Sequence, residues 1–274
     1  MNYRSVYVFV IIIVMVFFCG CSQPTVTIPP ATDTSVALTR FTTGVNATLQ
    51  EMDHTLATAA EVLGRTGIAG PKANVTLEGV VLSSPHAVDA VTISPEGLIT
   101  AVMPGVYWGV VGTDVGNESY NQLALEERCP LMTPVFPAAE GFNAVSIRRP
   151  VTDSTGTFLG LAAVLFDPQE LLAYQADHAL EGTNYTAWAV DTGGTLIYDR
   201  DPSDLVGLNM LTDPAFADYP DLVALVQRIV AEPSGSGTYT FPATNGGPDV
   251  VKDAVWATAG LHGTEWRLVV ASEE

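Results

Sequence analysis

The sequence predicts an α+β protein in which one long N-terminal helix is followed by two similar modules, each an antiparallel sheet of about five strands with a helical or loop cover. Three observations predict this class. An apolar periodicity of three and four residues lasts for about thirty residues. A hairpin pattern follows it, and the same arrangement recurs about a hundred residues later. A single β fold of about ten strands is the simplest alternative, but it accommodates the long helix badly.

The N-terminal segment has the layout of an export signal. Arg4 precedes an unbroken apolar run at residues 6–18, which is 13 residues long and followed by Cys19-Gly20-Cys21. A membrane span needs about 17 to 25 residues, so the run is short for one. The segment that ends the run, Cys19-Gly20-Cys21, resembles the lipobox of prokaryotic lipoproteins, which makes Cys21 the expected site of lipidation. An uncleaved N-terminal anchor is the alternative, and both place the body outside the cytoplasm, attached to the cell membrane.

Composition excludes several classes of function. The net charge is −19 and the pI is about 4.3, so the surface repels phosphate backbones and nucleic-acid binding is not expected. Membrane contact should be confined to the anchor. Cys129 is the only cysteine in the body, which allows no disulfide there, and we expect it to be buried rather than nucleophilic. The four histidines are scattered, so neither a metal site nor a cofactor is predicted.

The long helix is predicted over residues 33–67, after a Pro-rich tether at 21–32. Its apolar positions are Leu38, Phe41, Val45, Leu49, Met52, Leu56, Ala59 and Leu63, and its polar positions are Arg40, Thr43, Gln50, His54, Thr58 and Glu61. A helix of about 45 Å exceeds one small domain. It must therefore run along more than one module, along a partner, or both, and its average step also permits a homodimer seam.

The two modules follow the helix in the same order of elements. The first begins with a short helix at 73–82 and a hairpin at 90–102, continues through a helical or irregular stretch at 121–128, and closes with strands at 141–149 and 157–166. A connecting helix is predicted at 168–174. The second has a hairpin at 186–198, a helical or irregular stretch at 220–231, and closing strands at 237–241, 250–257 and 265–271.

Several segments carry a resemblance to a known family. They are the turn Ser94-Pro95-Glu96-Gly97, residues 149–160, residues 188–199 with 207–209 after them, and the C-terminal segments 237–239 and 266–270. In order and spacing they resemble the double Cache extracellular sensor domain, a long helix with two PAS-like modules. The resemblance covers residues 33–272. It implies a membrane-distal module at 68–170 and a membrane-proximal module at 171–274, with residues 1–20 as the signal peptide.

The resemblance also implies a function. Such domains bind small organic ligands of the amino acid, carboxylate or amine class, usually in the first module, and they do not catalyse reactions. The sequence ends at Glu274 without a second apolar span, so we expect a separate membrane receptor or transporter as partner. The family's amino-acid signature is absent, because Tyr107-Trp108 lacks the preceding arginine, and amino-acid specificity is not carried over.

A ligand site is predicted between the sheet of the first module and its cover at residues 105–137, where aromatic walls and a few polar groups suit a small molecule. The candidates on the cover are Tyr107, Trp108, Asp114, Tyr120 and Arg128. Tyr107 and Trp108 are equally compatible with an ordinary core.

Arg148, Arg149 and Asp153 follow on the next strand and its turn. Strand alternation sends the two arginines to opposite faces, so one of them can hold a carboxylate, unless both lie at the surface. Asp153 can bind an amine or shape the Asp-Ser-Thr-Gly turn.

No catalytic motif accompanies these residues. The sequence lacks a Gly-x-Ser-x-Gly elbow, a His-Glu-x-x-His helix and a phosphate-binding loop. A non-enzymatic binding protein is therefore predicted. A structural or interaction protein of the envelope that uses the fold without a ligand, and a hydrolase, are the alternatives.

Overall fold

One helix of 34 residues organises the architecture. The computed structural model describes residues 33–139, 141–201, 205–243 and 247–273, and these lie in one compact unit. Helix α1 (Asp33–Thr66) is about 50 Å long at 1.5 Å per residue. The other helices are α2 (Pro71–Leu82), α3 (Ser119–Glu127), α4 (Pro168–Ala179) and α5 (Pro220–Ala231). The predicted signal peptide, the tether and Cys21 lie outside the described residues.

The amphipathic prediction for α1 is confirmed. All eight predicted apolar positions are buried, and all six predicted polar positions are exposed. No helix among the described residues is both long enough and apolar enough to cross a membrane. The buried face of α1 packs against strands of both sheets and against α2 and α4, so the helix does run along more than one module.

The first sheet has the strand order β2-β1-β6-β5-β3, with β4 paired to β5 outside this path. Its strands are β1 (Ala87–Ile93), β2 (Ile99–Met103), β3 (Leu131–Met132), β4 (Phe136–Pro137), β5 (Asn143–Thr152) and β6 (Phe158–Phe166). Every pairing is antiparallel. The sequence predicted the long strands. It did not predict β3, β4 or the 3-10 helix Gly105–Val110, because two-residue strands and 3-10 turns leave no periodicity to detect.

The second sheet has the order β8-β7-β11-β10-β9 and is also antiparallel. Its strands are β7 (Thr186–Asp191), β8 (Leu196–Asp199), β9 (Ser234–Pro242), β10 (Asp249–Leu261) and β11 (Thr264–Glu273). The hairpin, closing pair and flanking edge strand occupy matching places in both sheets. The α+β prediction of a long helix and two antiparallel modules is therefore confirmed.

Each sheet has one face toward α1 and one face away from it, here named its cup face. A shared apolar cluster fills the α1 side of both sheets and includes Phe41, Leu49, Ile147, Phe166 and Trp266. Separate clusters cover the cup faces, one under α3 and β4 in the first module and one under α5 in the second. The cup faces of the two sheets are thus packed separately, and the opposite faces of both sheets contact the same helix.

A charged contact on α1 joins the two modules. Asp53 accepts hydrogen bonds of 2.8 and 2.5 Å from Nε and Nη2 of Arg149 on β5. Its Oδ1 also lies 2.9 Å from Nε2 of His262, which stands in the turn between β10 and β11. The carboxylate is largely buried, with 11% of the side chain exposed. One side chain of α1 therefore holds a strand of the first sheet and a hairpin of the second.

Cys129 contradicts the prediction of burial. It is exposed, directly after Arg128 at the C-terminal end of α3. Arg128 adopts a left-handed conformation with φ of 49°, which turns the chain away from the helix and carries the cysteine out of the apolar cluster.

Candidate functional site

Strand β5 separates the two predicted arginines as alternation requires. Arg149 points to the α1 face and pairs with Asp53. Arg148 points to the cup face of the first sheet and is only 3% exposed. The alternative that both arginines lie at the surface is therefore wrong, and Arg148 is the one placed beneath the predicted cover.

The guanidinium of Arg148 lies between the sheet and two aromatic rings. Its Cζ is 4.8 Å from the ring centroid of Tyr120 on α3 and 5.8 Å from that of Phe136 on β4. The two rings pack against each other with centroids 4.6 Å apart. Nε donates to Ser146 Oγ at 3.1 Å. Nη1 has no hydrogen-bond partner among the described residues, although it is buried.

Burial shapes the electrostatics of this arginine. Desolvation lowers the pKa of Arg148 to about 10, against the opposing influence of Tyr120 and Glu118, so the side chain remains a cation at neutral pH. Burial also raises the pKa of Tyr120, with help from the Glu118 carboxylate, and its hydroxyl stays protonated. A buried cation with an unused donor is costly unless something anionic approaches it.

Local contacts hold α3 over the site. Asn121 is buried and donates through Nδ2 to the carbonyl of Val115 at 2.7 Å and to Oε2 of Glu118 at 2.8 Å. These bonds fix the first turn of α3, from which Tyr120 projects. The ring of Tyr120 closes over Arg148, so a ligand reaches the guanidinium only if this part of the cover moves.

The remaining candidates on the cover lie apart from Arg148. Tyr107 is half-buried against the cup cluster, whereas Trp108 is 59% exposed. Asp114 is exposed and accepts a bond from the Gly116 amide. Arg128 is exposed at the helix end with its Cζ 4.7 Å from the ring centroid of Phe158. Of the cover residues, the structure brings only Tyr120 onto the guanidinium.

Asp153 is engaged within the turn between β5 and β6. Its Oδ1 accepts from the amides of Thr155 and Thr157 at 2.8 and 2.9 Å and from the hydroxyl of Thr155 at 2.7 Å. These hydrogen bonds lower the pKa of the carboxyl. The carboxylate therefore shapes the turn, which is the second of the two roles that the sequence left open.

Sequence reasoning missed three residues of the site. Ser146 shares the cup face with Arg148 by strand alternation, so the sequence pattern could have identified it. Phe136 lies on a two-residue strand without a pattern.

Asp89 is the third and most informative of them. It is fully buried on β1, and its pairing through Leu165 of β6 places it level with Ser146, two strands and about 10 Å away. The sequence feature that could have identified Asp89 is its position inside an apolar run, two residues before Val91.

Comparisons with known proteins agree with this architecture. The model of the family described as "HK/GC/Chemotaxis protein-like, sensor domain" matches residues 47–168. An extracellular ligand binding receptor from Desulfohalobium retbaense has 28% sequence identity and a TM-score of 0.73. The match covers 86% of this chain but only 39% of that chain. No curated protein matches.

More distant solved structures share the fold over nearly their whole length. The ligand binding domain of the Pseudomonas aeruginosa amino acid chemoreceptor PctB, in complex with L-Arg, has 14% identity and a TM-score of 0.61. The match covers 87% of this chain and 92% of the PctB domain. The domain of the Pseudomonas fluorescens chemoreceptor CtaA with L-serine has 14% identity and a TM-score of 0.59, covering 85% and 92%.

The fold defines an architectural class in which two PAS-like modules share one long helix, and ligand binding domains of chemoreceptors have this fold. Within that class, the predicted resemblance to the double Cache sensor domain is confirmed by the family match over the first module and by these structures.

Proposed function

We propose that this protein is an extracytoplasmic binding protein without catalytic activity that captures a small organic carboxylate in its first module. The observation that carries the proposal is Arg148, a buried cation with an unused Nη1 donor on the cup face. A carboxylate accepts charge-assisted hydrogen bonds from a guanidinium, and the aromatic rings supply an apolar wall for its body.

Tyr120 is the proposed gate of this site. Its ring covers the guanidinium at 4.8 Å, and it stands on a nine-residue helix that contacts the sheet mainly through the cup cluster. Rotation of this ring, or a shift of α3, exposes Arg148 and offers the phenol hydroxyl to the ligand. Because the hydroxyl stays protonated, it can donate to a carboxylate oxygen.

A ligand that also carries an ammonium group fits better than a plain acid. Asp89 places a buried carboxyl group on the same face, two strands away from β5. A compound with opposite charges at its ends can contact both residues. Chemoreceptor domains of this fold are described in complex with L-Arg, L-Gln, GABA, L-serine and L-alanine, which supports a ligand of this class.

The proposal also includes the location of the protein and its partner. The export segment and Cys21 favour a lipoprotein on the outer side of the cell membrane, or else one held by an uncleaved anchor. A separate membrane receptor or transporter then reads the bound state, and the exposed face of α1 offers a surface for that partner or for a second copy. The alternatives are a structural envelope protein without a ligand and, more remotely, a hydrolase.

Replacing Arg148 by methionine tests the proposal. We expect ligand affinity to fall ten- to a hundredfold, because a charge-assisted hydrogen bond contributes about 1.5 to 3 kcal/mol. Isothermal titration against acetate, butyrate, succinate, GABA, L-alanine and L-glutamine measures this. GABA and butyrate form a matched pair that differs by the terminal ammonium group, and GABA should bind more tightly.

The control is Arg228→Met. Arg228 also has its Cζ over an aromatic ring, 5.2 Å from the centroid of Trp256, but it is exposed and lies in the second module. Its replacement should leave the affinity unchanged. Equal binding by wild type and Arg148→Met refutes the role of Arg148, a panel without any binding favours the structural alternative, and turnover of a compound favours the enzyme.

A further inference from the structure

The second module contains a cavity of about 240 Å³ at one end of its cup face. Residues of β7, β10 and β11 and of the segments flanking β7 and β8 form its walls. The lining residues used below are Tyr185, Thr186, Arg200, Asp201, Lys252 and Glu273. A water molecule occupies about 30 Å³ of liquid, and drug-sized ligands need about 300 Å³ or more, so the cavity suits a small molecule.

Lys252 is the unusual residue of this wall. The whole chain has only two lysines, and the other, Lys72, is exposed on α2. Lys252 is 4% exposed, yet its amine makes no hydrogen bond or ion pair with the described residues. Its Nζ is not among the enclosed polar atoms, so the covered part of the side chain is its stem, and the ammonium group opens toward the cavity.

The strand register shows why Lys252 faces the cavity. It pairs with Tyr239 on β9 and with Glu273 on β11, and it shares its face with Ala254 and Trp256. Both of the latter belong to the cup cluster beneath α5. The amine therefore lies on the second module's equivalent of the face that carries Arg148 in the first.

Two other charged groups of the wall already have contacts. Arg200 donates through Nη1 to the carbonyl of Tyr185 at 2.9 Å, and its Nη2 lies 3.3 Å from Oδ1 of Asp177. Asp201 accepts from the hydroxyl of Thr186 at 3.4 Å. Among the described residues of this wall, Lys252 is thus the cation that remains available to a ligand, and the exposed Glu273 stands opposite it on β11.

We infer that the second module holds its own binding site for a small carboxylate, with Lys252 as its cationic contact and Arg200 as a neighbouring positive group. This site does not depend on the one around Arg148, because the two cups lie on different sheets and are filled by different clusters. The protein then has the means to respond to two compounds.

The two lysines make a direct test possible. Acetylation of the protein with acetic anhydride, followed by mass spectrometry, reports the reactivity of Lys252 with Lys72 as internal reference. Acetate, succinate, benzoate and L-glutamate serve as probes, and the methyl ester of benzoate is the uncharged control. We expect a saturating carboxylate to slow acetylation of Lys252 at least tenfold and to leave Lys72 unchanged.

Two variants separate this site from the first one. In Arg148→Met the protection of Lys252 should persist, whereas Lys252→Met should lose at least tenfold in affinity for the protecting probe in isothermal titration.

Three results overturn the inference. They are no protection of Lys252 by any probe, protection that disappears in Arg148→Met, and a lower melting temperature of Lys252→Met with unchanged binding. The last of these shows a structural lysine. If Arg148→Met alone loses binding, the first site stands and the second falls.

Discussion

Gly64→Ala is expected to destabilise the protein by about 3 kcal/mol, although alanine favours a helix more than glycine does. Gly64 is buried in the last turn of α1, and a Cβ built on it would lie 2.2 Å from the backbone carbonyl oxygen of Thr152 at the end of β5. Backbone atoms cannot rotate away as a side chain can. The end of α1 must therefore separate from the first sheet, which opens the cluster that both share.

Gly79→Ala is the matched control. Gly79 is also a helical glycine, but it is exposed on α2, and a Cβ there meets nothing within 4 Å. The same substitution should stabilise the protein by about 1 kcal/mol through helix propensity alone. Urea unfolding followed by circular dichroism measures both. If the two variants shift stability in the same direction, the close contact between Gly64 of α1 and Thr152 of β5 is contradicted.

The fold was largely predictable from sequence because its elements have strong periods. The spacing of Leu38 through Leu63 predicted both the extent and the buried face of α1. The stretch at 220–231, which the sequence left open as helical or irregular, is helix α5 with the same bounds. Hairpins were located by their turn residues. What remained hidden were short elements such as β4, whose existence depends on pairing with β5 and not on its own sequence.

The candidate site was less predictable, for a different physical reason. Alternation placed Arg148 and Arg149 on opposite faces but gave no means to choose between them. The choice depends on Asp53, which lies 96 residues from Arg149 and attracts it to the α1 face. Trp108 was placed wrongly for a related reason. Its aromatic character predicted that it lines a pocket, but the 3-10 turn directs its ring to solvent.

Asp53→Ala is expected to lower the free energy of unfolding by about 3 kcal/mol, the low end for breaking a buried ion pair. The substitution leaves the Arg149 guanidinium without its two hydrogen bonds and removes the contact to His262. Three elements lose their common anchor at once. Glu51→Ala is the control, since Glu51 is an exposed acidic residue on the same helix. A loss no larger than that of Glu51→Ala contradicts the anchoring role.

The pH dependence of the same pair of proteins identifies the carboxylate as the cause. Burial alone would raise the pKa of Asp53, but the hydrogen bonds and charges of Arg149 and His262 outweigh it and lower the pKa below its ordinary value of 3.8. A carboxyl whose pKa is lower in the folded state contributes stability above its unfolded pKa and loses it as the pH falls through the folded value. The stability difference between wild type and Asp53→Ala should therefore persist down to about pH 5 and shrink below 3.8. Urea unfolding of both proteins between pH 7 and about 3 measures the difference directly, and the many other carboxylates, which titrate in both proteins, cancel from it. A difference that stays constant in acid would mean that packing of the side chain, and not its charge, joins the two modules to α1.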